Sequence, residues 1–159
     1  MSKHPPVSAS VERWIDAPPE VIYDLVSDIT RMGEWSPETV RAEWLGGATH
    51  AVPGARFKGF NELGPNAWST KPEIVTADRG RCFSFRVPGR SGPTWTYDFH
   101  REGEATRVVE SVRQDVRSPL LIRLLQKRAG VTDRSASLIA GMTTTLERLE
   151  TSAAAVASH

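Results

Sequence analysis

The chain has 159 residues, of which 39% are hydrophobic and 25% are charged, and these proportions are typical of one globular domain. Twenty Lys and Arg against nineteen Asp and Glu leave a net charge of +1, which excludes nucleic-acid binding through a general positive charge. One cysteine excludes an intrachain disulfide and a cysteine-rich zinc site. The polar N-terminus and the lack of an apolar run of about 20 residues predict a cytoplasmic protein without stable membrane insertion.

The first part of the chain predicts a strand followed by a short helical region. Apolar and polar side chains alternate from Val7 to Asp16, as in a strand, although the last residues leave the inward face open. The sequence Asp16-Ala-Pro-Pro-Glu20 suits a first helical turn, where proline is tolerated because its missing N–H would be unpaired there. Helical spacing then continues, as one helix or a broken pair, to about Trp35, and Ser36-Pro37 ends it.

The middle of the chain predicts an antiparallel meander. Short segments are separated by turns rich in Gly and Pro, a pattern typical of consecutive strands in one sheet. We expect six strands here, at Val40–Leu45, Arg56–Leu63, Trp68–Ala77, Arg81–Val87, Thr94–Arg101 and Thr106–Val116. One face of such a sheet is apolar and needs a cover.

A long amphipathic helix near the C-terminus can cover that face. We expect it to follow Asp133, a suitable N-cap residue, and to reach about Thr151. Its apolar residues recur at helical spacing and should pack on the concave side of the sheet. They are Ile139, Met142, Leu146 and Leu149.

The same pattern sets the limits of the domain. We expect a single domain over residues 7–151, with flexible termini at 1–6 and 152–159. The basic, leucine-rich segment 120–128 is expected to close one end of the domain rather than to lie on a membrane surface, because it carries few charges.

Common catalytic and cofactor-binding motifs do not occur in the sequence. We find no nucleophile elbow, phosphate-binding loop, dinucleotide fingerprint or His-Glu-x-x-His motif. The four histidines lack metal-ligand spacing on one element, and surface positions are favoured for them. Cys82 is expected to be a half-buried strand residue rather than a reactive thiolate. We therefore expect no metal and no cofactor.

Aromatic side chains lie on one face of the predicted meander, at alternate positions of neighbouring strands. On two strands they are Phe83, Phe85, Trp95, Tyr97 and Phe99, and the same face can receive Phe57, Trp68 and Thr70. Residues alone leave two interpretations open, a dry core under the C-terminal helix or the wall of a pocket for an apolar ligand. Small residues at inward positions leave space on this face, and they therefore favour the pocket slightly.

Three polar residues are the predicted anchors of such a pocket. Glu110 lies between Val108 and Val112 at positions of one parity, which suggests that it faces inward, and the same argument applies to Asn61. Tyr97 would contribute its hydroxyl. A buried carboxyl is costly unless hydrogen-bonded or protonated, so its pKa should rise. A register shifted by one residue would instead leave Glu110 in solvent.

The order of elements and several short motifs resemble the START-like superfamily, also called SRPBCC, with its polyketide cyclase/dehydrase and lipid-transport members. The resemblance covers residues 7–150. The residues that carry it are Ile15-Asp-Ala-Pro-Pro-Glu-Val21, Val26-Ser-Asp28, Trp35-Ser-Pro37, Trp44-Leu-Gly-Gly-Ala48, Gly54-Ala-Arg-Phe-Lys-Gly59, Phe83-Ser-Phe-Arg-Val87, Glu110-Ser111 and Gly141-Met142.

This resemblance implies an α+β helix-grip fold. In such a fold a curved antiparallel sheet of about seven strands wraps around a long C-terminal helix, two short helices follow the first strand, and a cavity is enclosed. Members bind lipids, polyketides, sterols or hormones, and some are cyclases. The superfamily has no shared catalytic triad, so catalytic residues stay unassigned, with Glu110 and Tyr97 as candidates.

We therefore expect a non-catalytic carrier or sensor of a small hydrophobic ligand of lipid, polyketide or aromatic type. The alternatives are a polyketide cyclase or dehydratase that uses acid/base chemistry in the same cavity, and a protein-interaction or regulatory module. We expect a monomer or a weak homodimer. The predicted ligand-binding residues are Phe57, Asn61, Trp68, Thr70, Phe83, Phe85, Trp95, Tyr97, Phe99, Glu110 and Met142.

Overall fold

The computed structural model describes residues 7–89, 92–114 and 134–157. Their strands are β1 (Val7–Ile15), β2 (Thr39–Trp44), β3 (Phe57–Leu63), β4 (Asn66–Thr70), β5 (Glu73–Asp78), β6 (Cys82–Arg86), β7 (Thr94–Glu102) and β8 (Ala105–Gln114). Their helices are α1 (Pro19–Val26), a 3-10 helix (Ile29–Glu34) and α2 (Arg134–Ala157). The predicted segment 120–128, the N-cap Asp133 and the termini 1–6 and 158–159 lie outside the described residues.

The strands form two antiparallel sheets that adjoin each other. One sheet has the order β1-β8-β7-β6-β5, and the other has the order β2-β3-β4. Arg56 pairs with Glu73 where the sheets meet, and the Ile74 N–H donates to the Ala55 carbonyl over 2.8 Å. Helix α2 lies against β1, β8 and α1. The predicted helix-grip fold is confirmed, with eight strands in the described residues rather than about seven.

The segment Trp68–Ala77, predicted as one strand, is two strands. Pro72 lies between them, and it interrupts the pairing because its φ is fixed and it has no N–H to donate. Its carbonyl accepts from the Phe57 N–H over 3.1 Å. The chain therefore leaves the three-stranded sheet after Thr70 and enters the five-stranded sheet at Glu73.

The helical region after β1 is the predicted broken pair. Pro19 occupies the first turn of α1, and the Asp28 carboxylate caps the 3-10 helix by accepting from the backbone N–H two residues later. The 3-10 helix then packs closely on β2. A Cβ at Gly33 would lie 2.3 Å from the Val40 carbonyl oxygen, so only glycine fits there. Trp35 follows the 3-10 helix and is almost fully buried.

The buried stripe of α2 differs from the predicted one at its first position. Ile139 is 44% exposed, whereas Leu138 is 6% exposed. The prediction for Ile139 was wrong because Met142 is three residues from one and four from the other, and both spacings fit a helix. The other predicted positions, Met142, Leu146 and Leu149, are buried.

Helix α2 packs on two parts of the core. Leu138 and Met142 join Val112 in a small cluster, and the later turns of the helix, down to Ala153, pack in a larger cluster with α1 and the inner face of the sheet. Ala153 is fully buried and the helix reaches Ala157. The packed part of the helix therefore extends beyond residue 151, where the domain was expected to end.

Candidate functional site

Glu110 lies on β8, an internal strand of the five-stranded sheet, and on the side of that strand that packs against α2. Backbone pairing places it opposite Val11 on β1 and opposite Tyr97 on β7, and Tyr97 lies opposite Phe83 on β6. Directly paired residues share a face of the sheet. We call this side, which is largely buried, the inner face. Glu110 itself is 2% exposed, so the shifted register that would leave it in solvent is not the one found.

The Glu110 carboxyl has one hydrogen-bonded oxygen and one without a partner. The Tyr97 hydroxyl donates to Oε1 over 3.0 Å. Oε2 is buried, and no described residue bonds to it. Burial raises the pKa of Glu110 to about 8, because the hydrogen bond from Tyr97 offsets only part of the desolvation. The carboxyl is therefore mostly protonated at neutral pH.

Tyr97 is uncharged as well. Burial and the neighbouring Glu110 raise the pKa of Tyr97 well above its ordinary value. At neutral pH the pair consists of a phenol and a carboxylic acid. Such a carboxyl can donate a hydrogen bond or release a proton, whereas it can act as a base only in the ionised minority form.

Asn61 forms a separate polar pair in the other sheet. It is buried on β3, and its Oδ1 accepts from the Thr39 hydroxyl over 2.7 Å. Asn61 therefore lies in the three-stranded sheet, whereas Glu110 and Tyr97 lie in the five-stranded sheet. The predicted anchors are all buried, but they belong to two hydrogen-bonded pairs. Sequence reasoning missed Thr39, which only the pairing of β2 with β3 brings beside Asn61.

Four predicted wall residues are packed in the core. The ring centroids of Phe57 and Phe85 are 5.3 Å apart in an edge-to-face arrangement, and those of Phe83 and Phe85 are 5.9 Å apart. These rings and Phe99 are all buried. Rings packed in this way restrict one another's movement, so they form a rigid apolar surface on the inner face.

Trp95 and Thr70 each combine a position on the buried side of their sheet with accessible surface. Trp95 is only half-buried, although β7 is the central strand of its sheet, and it packs against both core clusters. Thr70 is half-buried on β4. Met142 is almost fully buried beside Trp95 in the smaller cluster. Trp68 is 40% exposed on β4, the edge strand of its sheet, and so lies at the rim.

An ion pair that the sequence did not single out links β1 to α2. Arg13 lies opposite Val108 and so on the inner face, and its Nη2 donates to Glu150 Oε1 over 3.0 Å. Arg13 Nε is buried without a partner among the described residues. The causes of the shifted pKa of Glu110 are burial and Tyr97, so this ion pair does not set the protonation state of Glu110.

The outer face of the same sheet carries an open groove of about 640 Å³. Its lining consists of Ser8, Ala9, Ser10, Thr94, Thr96, Ser111, Val112 and Arg113. Six of these eight residues carry a hydroxyl or a guanidinium, which is more than the few polar groups typical of a site for an apolar ligand. The groove opens on the side of the sheet away from Glu110 and Tyr97, so the candidate site remains on the inner face.

Metal binding, thiol chemistry and membrane crossing each require structural features that can be looked for in the described part of the chain. No three His, Cys, Asp or Glu side chains there are grouped so that they could hold a metal ion. Burial raises the pKa of the half-buried Cys82 to about 11, so it is a thiol at neutral pH. None of the helices in this part of the chain combines the length and the apolar character that crossing a membrane requires.

Several solved structures share this fold. TTHA0849 of Thermus thermophilus is 22% identical with a TM-score of 0.69, covering 94% of this chain and 99% of that chain. The ginseng major latex-like protein 151 of Panax ginseng is 14% identical with a TM-score of 0.69, covering 93% and 97%. The Polyketide_cyc-like protein Cgl2372 of Corynebacterium glutamicum is 29% identical with a TM-score of 0.58, covering 96% of each chain.

Sequence comparison with curated proteins gives no significant match. A family model described as polyketide cyclase/dehydrase and lipid transport, however, matches residues 6–154. This match includes both short helices, all eight strands and nearly all of α2. The chain therefore belongs to the polyketide cyclase/dehydrase and lipid transport family.

Proposed function

We propose that this protein binds a small hydrophobic molecule between the inner face of the sheet and α2, and that it acts as a carrier or sensor rather than as an enzyme. The observation that carries this proposal is Glu110 Oε2, which is buried and has no partner among the described residues. Buried polar atoms without a hydrogen bond are costly and uncommon. A ligand that brings one polar atom into this apolar face would supply the missing partner.

The surroundings of Glu110 support an apolar ligand. Small-molecule sites are mostly apolar, with a few polar groups that orient the ligand. Phe83 and Phe85 pack closely and supply a rigid apolar surface. The Trp95 side chain beside them is partly accessible. The family description names lipid transport as well as cyclases, which agrees with a lipid, a polyketide or an aromatic compound as the ligand.

The first test is ligand binding by variants of two tryptophans on opposite faces. The probe is N-phenyl-1-naphthylamine, an uncharged dye that fluoresces in apolar surroundings. We expect Trp95→Ala to weaken binding about tenfold or more, because a large ring is removed from the wall. Trp14→Ala is the matched control, since Trp14 is 53% exposed and lies on the outer face. Equal affinities for the two variants, or no binding by the unmodified protein, would contradict the proposal.

Two further measurements complete this test. Urea unfolding of each variant gives the folded fraction, so that a loss of affinity can be separated from a loss of folded protein. Mass spectrometry of an organic extract of the purified protein would identify a ligand that copurifies with it. An extracted lipid or polyketide that Trp95→Ala no longer retains would support the proposal.

A second function, as a polyketide cyclase or dehydratase, is favoured by the hydrogen bond between Tyr97 and Glu110. A protonated carboxyl beside the substrate could act as a general acid, with the Tyr97 hydroxyl holding its other oxygen in position. The binding function stands first, because such chemistry also needs a base, whereas at neutral pH Tyr97 is neutral and only a minority of Glu110 is ionised. Turnover of an extracted ligand that is lost in Glu110→Gln, with binding retained, would favour the enzyme.

A further inference from the structure

The hydrogen bond from Tyr97 fixes the direction in which Glu110 can act. Tyr97 donates to Oε1, so that oxygen serves as the acceptor of the carboxyl. The carbonyl oxygen of a neutral carboxyl is its better acceptor, so the proton is expected on Oε2. Oε2 is the buried oxygen without a partner among the described residues. In the neutral pair Oε2 therefore carries an O–H that can donate a hydrogen bond and has no acceptor among the described residues.

The neighbours of Glu110 on the inner face are mostly apolar. Val11 lies opposite it, and Val108 and Val112 flank it on β8. The ionisable groups that the described elements turn towards this face include Tyr97 and Arg101 on β7 and Arg13 on β1. Tyr23 and Glu20 on α1 and Glu150 on α2 lie against the same side. Arg13 and Glu150 are paired with each other, and Tyr23 packs against aromatic rings. Arg101 is likewise paired with Glu20, so each of these two arginines forms its ion pair with a carboxylate other than Glu110.

We propose, building on the ligand-binding function above, that Glu110 determines specificity by donating a hydrogen bond from Oε2 to an uncharged oxygen of the ligand. The site then selects ketones and similar carbonyl compounds over hydrocarbons of the same shape. It also selects against carboxylates, because their charge would have to be buried on a mostly apolar face. An amine is disfavoured because it would have to ionise Glu110 in an apolar face.

The test uses two flat aromatic probes that differ in one oxygen. Fluorene is a hydrocarbon, and 9-fluorenone carries a single carbonyl; neither ionises, so any effect of pH comes from the protein. We expect 9-fluorenone to bind about tenfold more tightly than fluorene at about pH 6.5, as one additional hydrogen bond would give. At about pH 9.5, above the pKa of about 8, the preference should disappear because the donor proton is lost. Equilibrium dialysis gives both dissociation constants.

Two variants of Glu110 separate the donor from its charge. Glu110→Gln keeps an acceptor for Tyr97 and an N–H donor in place of the O–H, but it cannot ionise. It should keep the preference for 9-fluorenone at both pH values. Glu110→Leu has no donor and should bind the two probes with equal affinity at both. Because the conclusion rests on the ratio of two affinities in one protein, partial unfolding of a variant does not change it.

The outcomes also separate this inference from the function on which it rests. Equal affinity of the unmodified protein for both probes at about pH 6.5 would overturn the role of Glu110 and leave hydrophobic binding intact. A preference that persists at about pH 9.5, or that survives in Glu110→Leu, would assign the donor to another group and overturn it too. Failure of both probes and of the uncharged dye to bind would contradict the binding function itself.

Discussion

The two faces of the central strands accommodate polar groups in opposite ways. On the outer face a row of small hydroxyl residues crosses the sheet in direct register, with Ser111 of β8 between Ser10 of β1 and Thr96 of β7. These hydroxyls lie in an open groove, where water can form hydrogen bonds with them. On the inner face the adjacent positions of β8 and β7 hold Glu110 and Tyr97, which are buried and bond to each other.

Two glutamates show what this difference does to charge. Glu102 on β7 is exposed, and hydrogen bonds from the Trp14 indole and from Arg107 lower its pKa. Burial instead raises the pKa of Glu110 to about 8. The same type of side chain is therefore an anion on one face and a neutral donor on the other. Desolvation, which the fold imposes, decides the protonation state.

The largest expected effect concerns packing on the two faces. Phe83→Ala removes a fully buried ring from the inner face and should lower the free energy of unfolding by about 3–5 kcal/mol. Thr96 is half-buried on the outer face of β7, the strand that pairs with β6. Thr96→Ala should change the free energy of unfolding by about 0.5 kcal/mol or less. Urea unfolding measures both. Comparable losses in the two variants would mean that the faces do not differ in packing.

The second effect is the dependence of stability on pH. The folded pKa of Glu110 lies near 8 and its ordinary value is 4.5, so the folded protein holds this proton more tightly than the unfolded chain does. This contribution is complete below about pH 4.5 and is lost as the pH rises towards 8. The loss should be of the order of 4–5 kcal/mol. Between these pH values the free energy of unfolding of the unmodified protein should therefore fall relative to that of Glu110→Gln. Unfolding curves recorded at several pH values measure both.

Glu102→Gln is the control for this experiment, because the sign of its contribution is opposite. The lowered pKa of Glu102 gives stability that is present above its ordinary pKa and lost as the pH falls through the folded value. This variant should leave the slope between about pH 5 and pH 8 unchanged. A slope that disappears in Glu102→Gln and persists in Glu110→Gln would assign the effect to the outer face.

The smallest expected effect is the loss of one hydroxyl on each face. Tyr97→Phe removes the partner of Glu110 Oε1 and should cost about 1–2 kcal/mol in unfolding free energy. Thr96→Val, on the accessible face of the same strand, should cost less. Because the Tyr97 hydrogen bond lowers the pKa of Glu110, its removal should also raise that pKa further. An unchanged or lower pKa in Tyr97→Phe would show that the two groups are not coupled.

Much of this arrangement could be predicted from the sequence where local patterns were unambiguous. Alternation along β8 placed Glu110 between two inward valines, and the structure has the same register. The proline turn before α1 and the long C-terminal helix were equally clear. These features depend on residues that lie close together in the chain, so one sequence is enough to define them.

The remaining features depend on contacts between distant segments. The pairing of Thr39 with Asn61 follows from how β2 aligns with β3, which includes a shift of register, and the ion pair of Arg13 with Glu150 joins the two ends of the chain. The choice of Leu138 over Ile139 is settled by Val112, on which the helix packs. Side-chain spacing within one segment does not contain this information.

The protonation state of Glu110 is the property on which the candidate site rests most directly. It can be measured by titrating the side-chain carboxyl carbons of glutamate in ¹³C-labelled protein, with Glu110→Gln identifying the resonance of Glu110. We expect this resonance to titrate near pH 8, well above the ordinary value of 4.5. A midpoint near the ordinary value would mean that Glu110 is a carboxylate at neutral pH. It would then have no proton to donate, and the inner face would not be the neutral, ligand-selecting surface described above.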